Sequence, residues 1–156
     1  MITDARNKIE AEIKALHSTM STILGKYLLS AITSNLYAAE VLNDSRSIND
    51  FCKRIGDLAE DIHGNKFKDM EMKEITGKIL ERFGADASCD AITEEFTTEM
   101  SMLTNTENTV KGVMPMTSAI IIPLLHAYFH IPLSGISNNN HTLNQKSTTF
   151  KRISLD

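Results

Sequence analysis

The chain has 156 residues, of which 42% are hydrophobic and 23% charged, with a formal net charge of −4. This balance excludes a wholly disordered chain, and a single domain of this length can bury roughly 70% of its unfolded surface without a metal or disulfide staple. The excess of acid argues against a nucleic-acid binder that works by neutralising phosphates.

Two cysteines, Cys52 and Cys89, do not make a secreted disulfide framework, and neither sits in a C-x-x-C. Both read as reduced, structural thiols on apolar helix faces. The opening MITDARNKIEAEIK lacks a basic segment followed by an apolar run, so no Sec signal is visible. A cytoplasmic location follows as the expectation, with export by a route that uses no such signal left open.

Residues 4–42 read as one long helix or two in series. Apolar residues recur at Ile9, Ile13, Leu16, Met20, Ile23 and Tyr27, a 4-3-4-3-4 heptad seam. Unbroken, the segment would span about 58 Å at 1.5 Å per residue, too long for a compact domain of this size. A break near Gly25 or Ser34, or a second chain along the seam, would relieve the mismatch. NDSR (43–46) is a turn. Ser47 with Asp50 three residues on is an acidic capping box, opening a helix whose apolar face runs from Ile48 through Phe51, Cys52, Ile55 and Leu58 to Ile62. Gly64 supplies its expected left-handed stop.

Asp69 opens the next helix, with Met72, Ile75, Ile79, Leu80 and Phe83 inward and Gly84 at its end. Asp86 or Ser88 caps another, carrying Cys89, Ile92, Phe96, Met100 and Leu103. Thr104 with Glu107 signals a short helix ending at Lys111–Gly112. The most apolar stretch, SAIIIPLLHAYFHIPLSG, spans Ser118 to Gly135. Pro123 suits a first helical position, so a helix from Pro123 to before Pro132 is expected, with Ile120–Ile122 extended before it. The alternative is a helix from Ser118 that kinks at the proline. The remainder is polar and ends in a strand-like alternation at Phe150, Ile153 and Leu155.

These elements predict an all-α fold: one helical bundle domain of five to six helices over residues 1–133, then a polar C-terminal tail, 134–156. A small β ladder between Ile120–Ile122 and that tail fits the pattern.

Three chemistries compete for the apolar stretch. Residues 113–133 approach the roughly 20 apolar residues of a membrane span, yet they contain two histidines and three prolines and lack aromatic or basic flanks. Membrane contact is therefore the weaker reading. His126 and His130 are four apart, which on a helix is a two-histidine metal clamp; Glu95 and Glu99 repeat that spacing elsewhere, and Glu60 with His63 forms a lone E-x-x-H. A metal-dependent enzyme built on these residues is the rival reading. The simpler one makes the histidines the solvent stripe of an otherwise apolar helix. No G-x-S-x-G, phosphate-binding glycine loop or H-E-x-x-H is present. The pattern thus favours a non-enzymatic module that needs no cofactor and has no identifiable small-molecule substrate. It would bind a protein partner, or a second copy of itself, through the first-helix seam (Ile9 to Tyr27) or through Phe150 and Ile153 of the tail.

Overall fold

Four hydroxyl side chains set where four helices begin. Ser18 Oγ accepts from the Ser21 amide (3.0 Å), Ser34 Oγ from Tyr37 (3.2 Å), Ser47 Oγ from Asp50 (3.0 Å) and Thr93 Oγ1 from Phe96 (3.0 Å). Each satisfies an amide that the first helical turn would otherwise leave without a partner. The computed structural model describes residues 1–86, 89–104 and 116–133. Among them run α1 (Ile2–Leu16), α2 (Thr19–Ala31), α3 (Asn35–Val41), α4 (Ile48–His63), α5 (Met72–Arg82), α6 (Glu94–Thr104) and α7 (Ser118–Phe129). The fold is all-α, with seven helices and no strand among the described residues, against the five or six expected.

The long N-terminal helix is three helices. His17 adopts a left-handed backbone (φ 51°) and Ser18 an extended one, which reverses the chain after α1. α1 and α2 then pack as an antiparallel hairpin: Arg6 reaches the Leu29 carbonyl (3.0 Å) at the open end, and Ile13 lies against Gly25 further along. The expected break at Ser34 is real. Gly25, by contrast, lies inside α2; its missing Cβ is what lets Ile13 approach. The heptad seam therefore closes largely on its own chain. Ile9 and Tyr27, its two ends, are buried in the core, while Ile13, Leu16, Met20 and Ile23 are half-buried against it.

α4 begins and ends as its sequence signals indicate, except that the left-handed residue beyond it is Asn65 (φ 58°), Gly64 staying at φ −80°. Asp69 is also left-handed (φ 66°), so α5 opens at Met72 rather than at Asp69. α6 opens at Glu94 behind Thr93, leaving Cys89 in the preceding loop rather than on the helix. Among the described residues the non-glycine positive-φ positions, His17, Asn65, Asp69 and His130, belong to the types that tolerate this region best.

α7 starts at Ser118 and carries Pro123 in its interior, so Ile120–Ile122 are helical and not extended. No β ladder can form on them as helix. Every residue from Ile120 to Phe129 is buried. A helix apolar nearly all round belongs at the centre of a bundle, and α7 packs against α4 and α6 there. Phe51, Phe83, Tyr128 and Phe129 form an aromatic cluster with ring centroids 4.9–5.6 Å apart along successive pairs. No helix is long and apolar enough to cross a membrane among the described residues. From Ile120 to Phe129 the apolar stretch thus faces protein. Beyond Thr104, which ends α6, the expected short helix ending at Lys111–Gly112, the connector before Met116 and the tail with Phe150 and Ile153 lie outside the described residues.

Candidate functional site

The polar chemistry of the chain gathers at the C-terminal end of α7. His126 is 3% exposed, so it is no solvent stripe. A buried imidazole needs partners for both nitrogens, and it has them. Nε2 lies 2.5 Å from the Tyr27 hydroxyl of α2, and Nδ1 lies 2.8 Å from the Ile131 carbonyl. A carbonyl can only accept, so Nδ1 carries the proton and Nε2 accepts from the phenol. Burial lowers the His126 pKa below its ordinary value; the Ile131 carbonyl and Asp90 push weakly the other way. Burial likewise pushes the Tyr27 phenol up, so it stays a donor.

His130 ends α7 in the left-handed region (φ 55°) and is exposed. Its Nδ1 lies 3.0 Å from an Arg46 guanidinium nitrogen, which can only donate. Its Nε2 lies 3.0 Å from the Gly84 carbonyl, which can only accept. Here the proton sits on Nε2, the opposite tautomer to His126. Arg46 also pairs with Glu40 and reaches the Phe129 carbonyl (3.4 Å). The two histidines share a shallow cleft of about 270 Å³ with Asp86, Cys89, Asp90 and Pro132.

No three His, Cys, Asp or Glu side chains converge as a metal ion would require among the described residues. His126 spends both nitrogens inside the fold, and Glu95 is exposed on α6, so the described residues do not assemble the ligand set of the rival reading. The thiols are poor nucleophiles. Burial pushes Cys52 up to about 11, and burial with Asp90 and Asp86 raises Cys89 despite the Ala91 amide beside it.

Two more polar groups work as clamps. On α1, Lys8 Nζ donates to the carbonyls of Val41 (2.6 Å), Asn43 (3.2 Å) and Arg46 (2.8 Å), closing the C-terminal end of α3. One turn later, Glu12 Oε1 accepts from the Ile48 amide (3.0 Å), the first residue of α4. Cation at a helix C-terminus and anion at a helix N-terminus is the favourable sense for both dipoles. On α7, the Tyr128 hydroxyl accepts from the Ser47 amide (3.0 Å) and donates to Asp50 (2.8 Å). Burial pushes Asp50 up, but Tyr128 and Arg54 outweigh it and hold the carboxyl below its ordinary range.

Sequence reasoning found His126 and His130 but not their roles. Tyr27 and Arg46, which define those roles, carried no local signal of them, because the contacts span 99 and 84 residues. Of the expected interaction residues, the structure brings together Ile13, Leu16, Met20 and Ile23 at the half-buried edge of the α1–α2 hairpin. No protein-family model matches this chain, and no curated protein or solved structure matches it either.

Proposed function

We propose that this chain is a non-enzymatic interaction module that binds a protein partner, or a second copy of itself, through the turn end of the α1–α2 hairpin. The observation that carries the reading is the row Leu16, Met20 and Ile23, aliphatic side chains that the chain's own core leaves half-covered. Such side chains gain by further burial at about 25 cal/mol per Å² of apolar surface. The charged groups support the same reading: Lys8, Glu12, Asp50 and Arg46 are engaged within the fold as clamps, and both thiols are held protonated. Two free cysteines also suit a reducing compartment, as in the cytoplasm.

The test is the double variant Leu16→Asp with Met20→Asp, which charges the row while leaving the Ile13–Gly25 contact intact. Light scattering after size exclusion reads self-association, and capture from native lysate followed by mass spectrometry reads a partner. Loss of the dimer or of the specifically captured protein, with the helical circular-dichroism signal retained, supports the face. An unchanged mass together with an unchanged captured set removes it.

A further inference from the structure

The α1–α2 hairpin turns on two residues. His17 takes a left-handed backbone (φ 51°), Ser18 an extended one, and helix runs on either side of them. No glycine or proline stands between Ile2 and Leu24, so nothing covalent compels the break. A left-handed backbone costs a residue with a Cβ energy that glycine is spared. A short hinge held in that state favours exchange of the element it carries. The apolar spacing Ile9, Ile13, Leu16, Met20, Ile23 and Tyr27 passes through the hinge without a change of phase. On one continuous helix those residues form a single stripe, and residues 2–31 straightened would reach about 45 Å.

The grips of α1 run to surfaces that every copy of the chain presents. Arg6 donates to the Leu29 carbonyl, Lys8 to the carbonyls of Val41 and Arg46, Glu12 accepts from the Ile48 amide, and Ile13 seats on Gly25. The α1 of a second copy makes each of these contacts as well as the chain's own. What an exchange adds lies at the hinge. Leu16 and Met20 flank His17 and Ser18 and are half-covered in the single chain, as is Ile23. In a two-fold dimer of straightened helices the hinges pass each other antiparallel, and the stripe of one chain covers the same stripe of the other.

We propose that α1 and α2 straighten into one helix across His17 and Ser18, and that two copies of the chain exchange α1 to form a dimer closed over Leu16 and Met20. This rests on the turn end of the hairpin being the interaction face, and it names the partner as a second copy of this chain.

The balance is set at the hinge. The hairpin keeps the Ser18 cap on the Ser21 amide (3.0 Å) but holds His17 left-handed. The straight helix gives up that cap, frees His17 and gains backbone hydrogen bonds across the turn. Substitutions at these two exposed residues therefore push in opposite directions. His17→Gly eases the turn and weakens a continuous helix, favouring the single chain. Ser18→Ala removes the cap and supplies a better helix former, favouring exchange.

The test refolds the full chain from urea at high protein concentration, because exchange requires α1 to leave its seat. Size exclusion with light scattering reads the dimer. Isotope-filtered NMR on a dimer refolded from mixed labelled and unlabelled chains reads whether Ile13 meets Gly25 within one chain or between two. Expected is a dimer in which that contact crosses between chains. Its dissociation constant should rise about tenfold or more per hinge with His17→Gly, and fall with Ser18→Ala. An unmodified chain that stays monomeric, or a dimer in which Ile13 meets Gly25 only within one chain, would overturn the exchange. If either variant does not fold, the mass and the cross-chain contact of the unmodified chain still decide. A within-chain dimer that Leu16→Asp with Met20→Asp dissolves, or a monomer that specifically captures another protein, ends the exchange but keeps the turn end as the interaction face. No dimer and no captured protein removes both.

Discussion

Gly25 and Tyr128 show how much one atom decides in this fold. A Cβ at Gly25 would overlap the γ and δ carbons of Ile13 and press on Ile48. Overpacking of this kind costs about 1–3 kcal/mol, against about 1 kcal/mol gained by placing Ala for Gly in a helix. Gly25→Ala is therefore expected to lower stability by about 1 kcal/mol in urea titrations. With Ile13→Ala in the same chain it should lose most of that cost; equal effects on both backgrounds would show that the two helices do not meet there. Tyr128→Phe keeps the ring in the aromatic cluster but removes the oxygen shared by Ser47 and Asp50, at an expected cost of about 1–2 kcal/mol. The Asp50 carboxyl should then titrate higher, which carbon NMR would detect. Residues of this kind explain what local sequence could not supply. A histidine in an apolar helix reads as a solvent stripe unless its partners are known, and the Tyr27 hydroxyl that satisfies His126 is 99 positions away.

At the scale of elements, helices with their own start and stop chemistry were readable. Ser47 and Asp50 open α4, and the apolar face from Ile48 to Ile62 is the face it buries. The heptad spacing in α1 and α2 was equally readable, but its meaning was not, because a pattern of 4-3-4-3-4 is the same whether the second half continues or folds back. His17 decides between them by taking a left-handed backbone, a conformation with no obligatory residue type. What fixes α1 against its neighbours is the Lys8–Glu12 clamp, and its two halves should respond differently to substitution. Glu12→Gln preserves an acceptor for the Ile48 amide, whereas Glu12→Ala leaves that amide without one and should cost about 1–2 kcal/mol more. Lys8→Met removes three carbonyl contacts and should fray α3 first, seen as faster exchange at the Leu42 amide, which bonds back to Ala38. Equal stability of Glu12→Gln and Glu12→Ala would mean that the side chain does not hold α4.

For the molecule as a whole, α7 is buried from Ile120 to Phe129, and the burial of its histidine makes global stability answerable to pH. His126 sits 3% exposed with both nitrogens engaged, and burial holds its folded pKa below the ordinary 6.5. An unfolded chain takes up a proton near 6.5 that the folded chain refuses. The contribution is thus fully present above that value and is lost as pH falls from 6.5 toward the folded pKa, with a slope of up to about 1.4 kcal/mol per pH unit. Glu12 acts lower on the scale and in the opposite sense. Burial raises its pKa, so its contribution is present below 4.5 and disappears as pH rises through the folded value. Asp50 and Asp61, held low by their cations and hydroxyl partner, lose their contribution only as pH falls below 3.8. The fall that begins near pH 6.5 therefore belongs to His126, whose sign is opposite to that of Glu12. Urea midpoints are expected to be level from pH 8 to 6.5 and to fall steadily below it. His126→Asn should start from lower stability, because it leaves space in the core, but its midpoints should change far less across the same window. Midpoints that stay constant for the unmodified chain from pH 7.5 to 5.5 would mean that His126 is not the buried, neutral acceptor on which the centre of this bundle is built.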